Sequence, residues 1–220
     1  MKLFLSIFSL KKMPVLSWSS DDELNLKPKI KTLGYLIFGL ILFGLGETLL
    51  VTANIGVSPW FVLHQGLSLQ FGYSIGVTTF IVSVIVLLFW IPLRQKPGIG
   101  TILNTILISI VVDLSLPYLP QPDEFIFQLF QVIIGVLIVG LGSGFYLIAN
   151  LGPGSRDGLM TGIQKKTKSS FTLIRTLIEL SAVAIGWYLG GVVGIGTVIY
   201  AFGIGPFVSA GFFVVGRYFK

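Results

Sequence analysis

The chain has 220 residues, of which 54% are apolar and only 11% charged, with a formal net charge of +6. A soluble domain carries about 25% charged residues, so no water-exposed surface can be built from this composition, and the chain reads as an integral membrane protein. Cys is absent and His64 is the single histidine; this excludes disulfides, thiolate chemistry and a His-ligated metal centre within one chain, and neither metal nor cofactor is expected.

Residues 1–31 read as a basic cytoplasmic leader. The apolar run from Leu3 to Leu10 is too short to span. It is followed by Lys11-Lys12 rather than a small-residue cleavage site, which favours an interfacial segment over a signal peptide. Met13 is an alternative start, and Asp21 to Lys31 reads as a charged tether.

Six apolar stretches follow, near 32–53, 72–93, 98–117, 127–149, 171–189 and 192–215. Each has about the 20 residues that cross ~30 Å at 1.5 Å per residue. Pro206 inside the sixth predicts a kink or break. Six lysines precede the first stretch. Arg94 and Lys96 follow the second; Arg156, Lys165, Lys166 and Lys168 follow the fourth; Arg217 and Lys220 end the chain. The loop after the third holds Asp123 and Glu124 and no base. This alternation predicts that both termini are cytoplasmic, and it accounts for the basic charge without nucleic acid.

The chain also repeats itself. Gly44-Leu45-Gly46 and Ala53-Asn54-Ile55-Gly56 match Gly140-Leu141-Gly142 and Ala149-Asn150-Leu151-Gly152 at a shift of 96 residues; Gly98-Ile99-Gly100-Thr101 matches Gly194-Ile195-Gly196-Thr197 at the same shift. Between 39 and 112, 17 of 74 positions are identical without a gap, against roughly 6 expected from so biased a composition. A unit of three spans is odd-numbered, so its second copy enters the membrane from the opposite side. The expected fold is therefore an all-α membrane protein of six transmembrane helices in two inverted three-helix repeats, 32–118 and 127–216, joined by an acidic external loop, 119–126. Each repeat carries a short re-entrant or interfacial helix after its first span. Gly140/Gly144, Gly186/Gly190 and Gly190/Gly194 have the spacing of close helix seams.

Candidate chemistry gathers at two turns and at the ionisable groups inside spans. Ser58-Pro59 reads as an N-cap with Pro at the first helical position. Ser155 reads as the matching cap of a helix from about Arg156 to Gln164. Helix N-termini suit an anion or a carbonyl; plain turns that reset the chain direction are the other reading. Asn54 and Asn150 fit left-handed C-caps as well as ligand binding. Glu47, Asp113, Arg175 and Glu179 fall within spans, where charges are costly and default to functional hypotheses. Glu47 and Asp113 lie near span ends and can snorkel. Arg175 and Glu179 are four apart and can pair. Arg156 can pair with Asp157, or clamp Glu179 or a solute carboxylate; the Arg156–Glu179 bridge is the expected arrangement. The candidate substrate-binding set is Glu47, Asn54, Ser58, Asn150, Ser155, Arg156, Asp157, Arg175 and Glu179. No dinucleotide, Walker, nucleophile-elbow or zinc-protease motif occurs, and no enzyme activity is expected.

Pro97-Gly98-Ile99-Gly100-Thr101, the run Gly152-Pro153-Gly154-Ser155-Arg156-Asp157-Gly158-Leu159-Met160, Arg175-Thr176-Leu177-Ile178-Glu179 and Gly190-Gly191-Val192-Val193-Gly194-Ile195-Gly196-Thr197 resemble the YczE-like bacterial membrane proteins, relatives of the YitT group, over about residues 32–215. The family has Pro where Ser155 stands. The resemblance implies a multi-pass plasma-membrane protein and implies no substrate. The function expected is a small-solute secondary transporter or permease-like protein with its site at the repeat interface. The alternative is a membrane scaffold or regulator that binds a cytoplasmic partner. Besides the lipid bilayer, a small solute or ion and a second copy of the chain are the partners left open.

Overall fold

A computed structural model describes residues 13–219; the apolar run Leu3–Leu10 lies outside them. The described residues are helical, without strands: α1 Ile30–Ala53, α2 Pro59–Phe71, α3 Ile75–Leu88, α4 Trp90–Leu93, α5 Ile99–Ser115, α6 Phe125–Ala149, α7 Ser155–Thr167, α8 Phe171–Tyr188 and α9 Ile195–Tyr218. Five stretches are long and apolar enough to cross a membrane: α1, α3 with α4, α6, α8 and α9. The remaining predicted span, α5, is apolar but 17 residues long. The second predicted span is interrupted at Phe89, before Pro92, whose ring crowds the preceding turn. The predicted break at Pro206 does not occur, since α9 runs through it; the single lost backbone bond does not end the helix. Large apolar side chains such as Phe80, Ile85, Phe130, Leu177 and Phe202 are exposed along these helices, a surface that lipid rather than water can cover.

Two apolar cores form. The larger holds Leu36, Leu40, Leu50, Val136, Phe145 and Ile148 with Trp18 and Tyr200, chiefly on α1, α6 and α9. The smaller holds Trp60, Val82, Val86, Met160, Ile174 and Ala182, on the short helices α2 and α7 and on α3 and α8. Close seams lie within them. A Cβ on Gly39 would stand 2.7 Å from the Gly142 carbonyl, and one on Gly144 would stand 2.8 Å from the Gly211 backbone. Seams at Gly140, Gly144 and Gly186 match expectation. Gly190 instead turns the chain with φ +100°, and Gly194 packs on Ile55.

Positions 96 apart share local geometry. Asn54 and Asn150 are left-handed (φ 55° and 52°), as are Arg94 and Gly190 (54° and 100°) and Gly72 and Lys168 (70° and 58°). Gly56 and Gly152 also match, at φ 113° and 107°. Ser74 and Ser170 both cap the following helix, accepting from Val77 N and Leu173 N. The two turns interlock crosswise: Gly196 N donates to Ile55 O at 2.9 Å, and Gly100 N donates to Leu151 O at 2.6 Å.

Two polar regions have partners that the sequence did not reveal. The stretch ahead of the expected tether, Asp21 to Lys31, is docked. Trp18 is buried, its Nε1 donates to Phe219 O at 2.5 Å, and its carbonyl accepts from Thr32 Oγ1. Ser20 N donates to Ala149 O at 3.0 Å, and Asn150 Nδ2 donates to Ser20 O at 2.8 Å. Its indole and its backbone groups find their partners in the protein, which is why it docks. Asp113, near the end of α5, is held in place: its Oδ2 accepts from Ser74 Oγ at 2.5 Å and its Oδ1 from Gly76 N at 2.7 Å. A carboxylate at a helix N-terminus complements the unpaired N–H groups there.

Candidate functional site

The site grows out of the two turns. After Asn54 closes α1 in the left-handed conformation, Gly56 supplies the second positive φ, and Pro59 starts α2 at a position whose N–H would have no helical partner. Ser58 is the N-cap by position, but its hydroxyl does not cap; it donates to Glu47 Oε2 at 2.7 Å. Tyr200 OH donates to Glu47 Oε1 at 3.2 Å. Glu47 is fully buried, so it does not snorkel; it ties α1, the first turn and α9 together.

The second turn follows the same backbone path. The cap is Gly154 rather than Ser155, which is already the first helical residue. This corrects the expected role of Ser155: at the shift of 96 it stands where the first turn has Pro59. Its carbonyl accepts from Trp90 Nε1 at 2.9 Å. Asp157, in the first turn of α7, accepts from Tyr146 OH at 3.0 Å. Arg156 is half-buried. Its guanidinium carbon lies 5.0 Å from the centre of the Trp60 ring and 5.9 Å from that of Phe61. Arg156 from the second turn thus rests on aromatic faces from the first. Glu47, Asp157 and Glu179 all contribute to the field at Arg156, yet no carboxylate among the described residues approaches it within salt-bridge distance. The expected Arg156–Glu179 bridge is not formed. Glu179 Oε1 is taken by Arg175 Nε at 2.9 Å, one turn away on the same helix.

Between the two apolar cores lies a cavity of about 250 Å³. Its walls include residues related by the shift of 96: Ser58 and Gly154, Pro59 and Ser155, Trp60 and Arg156, Thr79 and Arg175, Ser83 and Glu179, Asn104 and Tyr200, Ile108 and Ile204. The N-terminal ends of α2 and α7 both border it. Of the nine candidate residues, Ser58, Ser155, Arg156, Asp157, Arg175 and Glu179 line this cavity. Glu47 stands behind the wall, bonded to Ser58 and Tyr200. The two asparagines lie elsewhere. Asn54 is exposed and borders a separate depression with Gln121, Asp123 and Gln128, whereas Asn150 holds the leader. Both serve left-handed C-cap geometry.

Sequence reasoning missed Trp60, Tyr146 and Tyr200. The repeat carried a signal for two of them, because the shift pairs Trp60 with Arg156 and Asn104 with Tyr200. Tyr146 has no such marker. Trp60 Nε1 and His64 Nε2 are buried without a hydrogen-bond partner; His64 Nδ1 shares a 2.8 Å bond with Thr79 Oγ1. No cluster of three or more His, Asp or Glu that could hold a metal ion occurs among the described residues.

No solved structure matches the chain. An uncharacterized protein of Haemophilus influenzae is 36% identical over 205 residues, covering 93% of each chain. The uncharacterized membrane protein YczE of Bacillus subtilis is 33% identical over 165 residues, covering 74% of this chain and 77% of the relative. The uncharacterized protein YyaS of Bacillus subtilis is 27% identical over 169 residues, 75% of this chain and 84% of the relative. The model of a family of unknown function, DUF6198, matches residues 30–212. The chain therefore belongs to that family, and with it to the YczE-like multi-pass membrane proteins.

Proposed function

We propose that the chain is a secondary transporter or permease-like protein for a small solute. In this reading α5 crosses as the sixth span and the two halves insert in opposite senses. Both termini face the cytoplasm of a plasma membrane. Loop charge alternation supports the orientation, and the crosswise Ile55–Gly196 and Leu151–Gly100 bonds suit two related halves. One observation carries the reading: the N-termini of two short helices meet at a cavity walled by equivalent positions of both halves. Transporters with inverted repeats bind their solute at such a junction, near the bilayer midplane.

The chain has no cysteine, so single-cysteine variants report access cleanly. Ser83→Cys and Asn104→Cys are the cavity probes, and Gln121→Cys marks the outer loop. A membrane-impermeant maleimide should label Gln121→Cys only from outside. It should label the cavity variants from outside in cells and from inside in inverted vesicles. Cavity positions closed from both sides would refute transport. They would favour the second reading, a scaffold whose exposed Lys165, Lys166 and Lys168 dock a cytoplasmic partner.

A further inference from the structure

We infer that the cavity binds a small monocarboxylate with an apolar body, received by Arg156. This deepens the transport reading and rests on it for the location of the site. The inference comes from an inventory of donors and acceptors. Every carboxylate at or behind the cavity wall already has a donor. Glu47 takes the hydroxyls of Ser58 and Tyr200, Asp157 takes that of Tyr146, and Glu179 takes Arg175. The charged group left without a hydrogen-bonded or ion-paired partner among the described residues is a donor. The Arg156 guanidinium has five N–H groups and rests on the faces of Trp60 and Phe61. Trp60 lines the cavity with its ring, while its indole N–H is buried away from it. The first backbone N–H groups of α2 and α7 receive no side-chain cap, because Ser58 is spent on Glu47 and Gly154 has no side chain.

A ligand that completes this set must accept hydrogen bonds and carry negative charge. A carboxylate matches the fork of a guanidinium in two parallel bonds. A dianion is disfavoured, because Glu47 and Asp157 add their own negative field. Phe43, Ile108, Met160 and Ile204 add apolar surface to the walls, and the volume, about 250 Å³, is below the ~300–1,000 Å³ of sites for drug-sized ligands.

The test uses the full chain in detergent and three probes: benzoate, benzylamine and sulfate. Benzoate should raise the unfolding temperature and show saturable binding by calorimetry, with the other two inert. Arg156→Gln should weaken benzoate binding ~100-fold, and Arg156→Lys, which keeps the charge and loses the fork, ~10-fold. If Arg156→Gln does not fold, Arg156→Lys still decides. Benzylamine binding in place of benzoate would overturn the ligand class. So would benzoate binding that neither variant weakens, and so would indifference to all three probes. Cysteine labelling at Ser83 and Asn104 fails or succeeds independently of these outcomes, so a wrong ligand class is separable from a wrong site.

Discussion

The two halves of the chain match at their turns and differ in chemistry at the cavity. At the turns, matched residues have nearly the same φ, the same left-handed caps and the same crosswise bond to the opposite half. At the cavity, the first half presents Trp60, Thr79 and Ser83; the second presents Arg156, Arg175 and Glu179 at the equivalent places. Glu47 reverses the trend, since its counterpart is Ser143. The backbone is constrained because each turn closes the other half's hydrogen bonds, and buried backbone groups cannot go unpaired in a membrane. The side chains around the cavity carry no such duty. Turns of matched geometry therefore border an asymmetric site, in which an aromatic face from one half carries a cation from the other.

The largest predicted effect tests how far the frame is shared. A Cβ at Gly196 would stand 2.2 Å from Gly56 O, whereas one at Gly100 would be 2.9 Å from Leu151 O. Gly196→Ala should cost about 3 kcal/mol or prevent folding, and Gly100→Ala about 1 kcal/mol. Unfolding midpoints in detergent check this, and equal losses would break the distinction between the halves. A second comparison concerns a diverged pair. Glu47→Ala leaves two buried hydroxyls without an acceptor and should cost roughly 3 kcal/mol. Ser143 Oγ donates only to Val139 O on its own helix, so Ser143→Ala should cost under ~1 kcal/mol. A tolerated Glu47→Ala would show that Glu47 is no structural tie. The smallest effect separates the two left-handed asparagines. Glycine keeps the backbone conformation at both, so Asn150→Gly should cost only about 1 kcal/mol more than Asn54→Gly, for the lost bond to Ser20. Limited proteolysis should find the leader freed in the first variant alone.

Much of this frame was legible in the sequence. Spans follow from apolar length, and the turns from glycine, proline and asparagine at fixed places. The Arg175–Glu179 pair follows from a four-residue spacing. The site was half legible. Charged residues stand out in an apolar chain, so Arg156, Asp157 and Glu179 could be named. Their partners could not. Trp60 and Tyr200 were marked only by their partners in the repeat, and Tyr146 looks like an ordinary membrane-helix aromatic until the tertiary fold brings it beside Asp157. Arg156 was expected on Glu179 because it stands in the most specific motif of the chain. The local partner Arg175 reaches that carboxylate first, and Arg156 settles on π faces instead. The docked leader was not legible either, since a polar stretch with one tryptophan has no periodicity to betray burial.

That leader bears on how the protein is made. The bond from Trp18 Nε1 to Phe219 O joins residues 201 apart in the chain. At roughly 5–20 residues per second, the ribosome delivers the acceptor some ~10–40 s after the donor. Throughout that interval Trp18 must wait outside its final seat, while the helices between are inserted one after another. The latch closes only once α9 has left the ribosome, so the docking of this segment reports that α9 has been made.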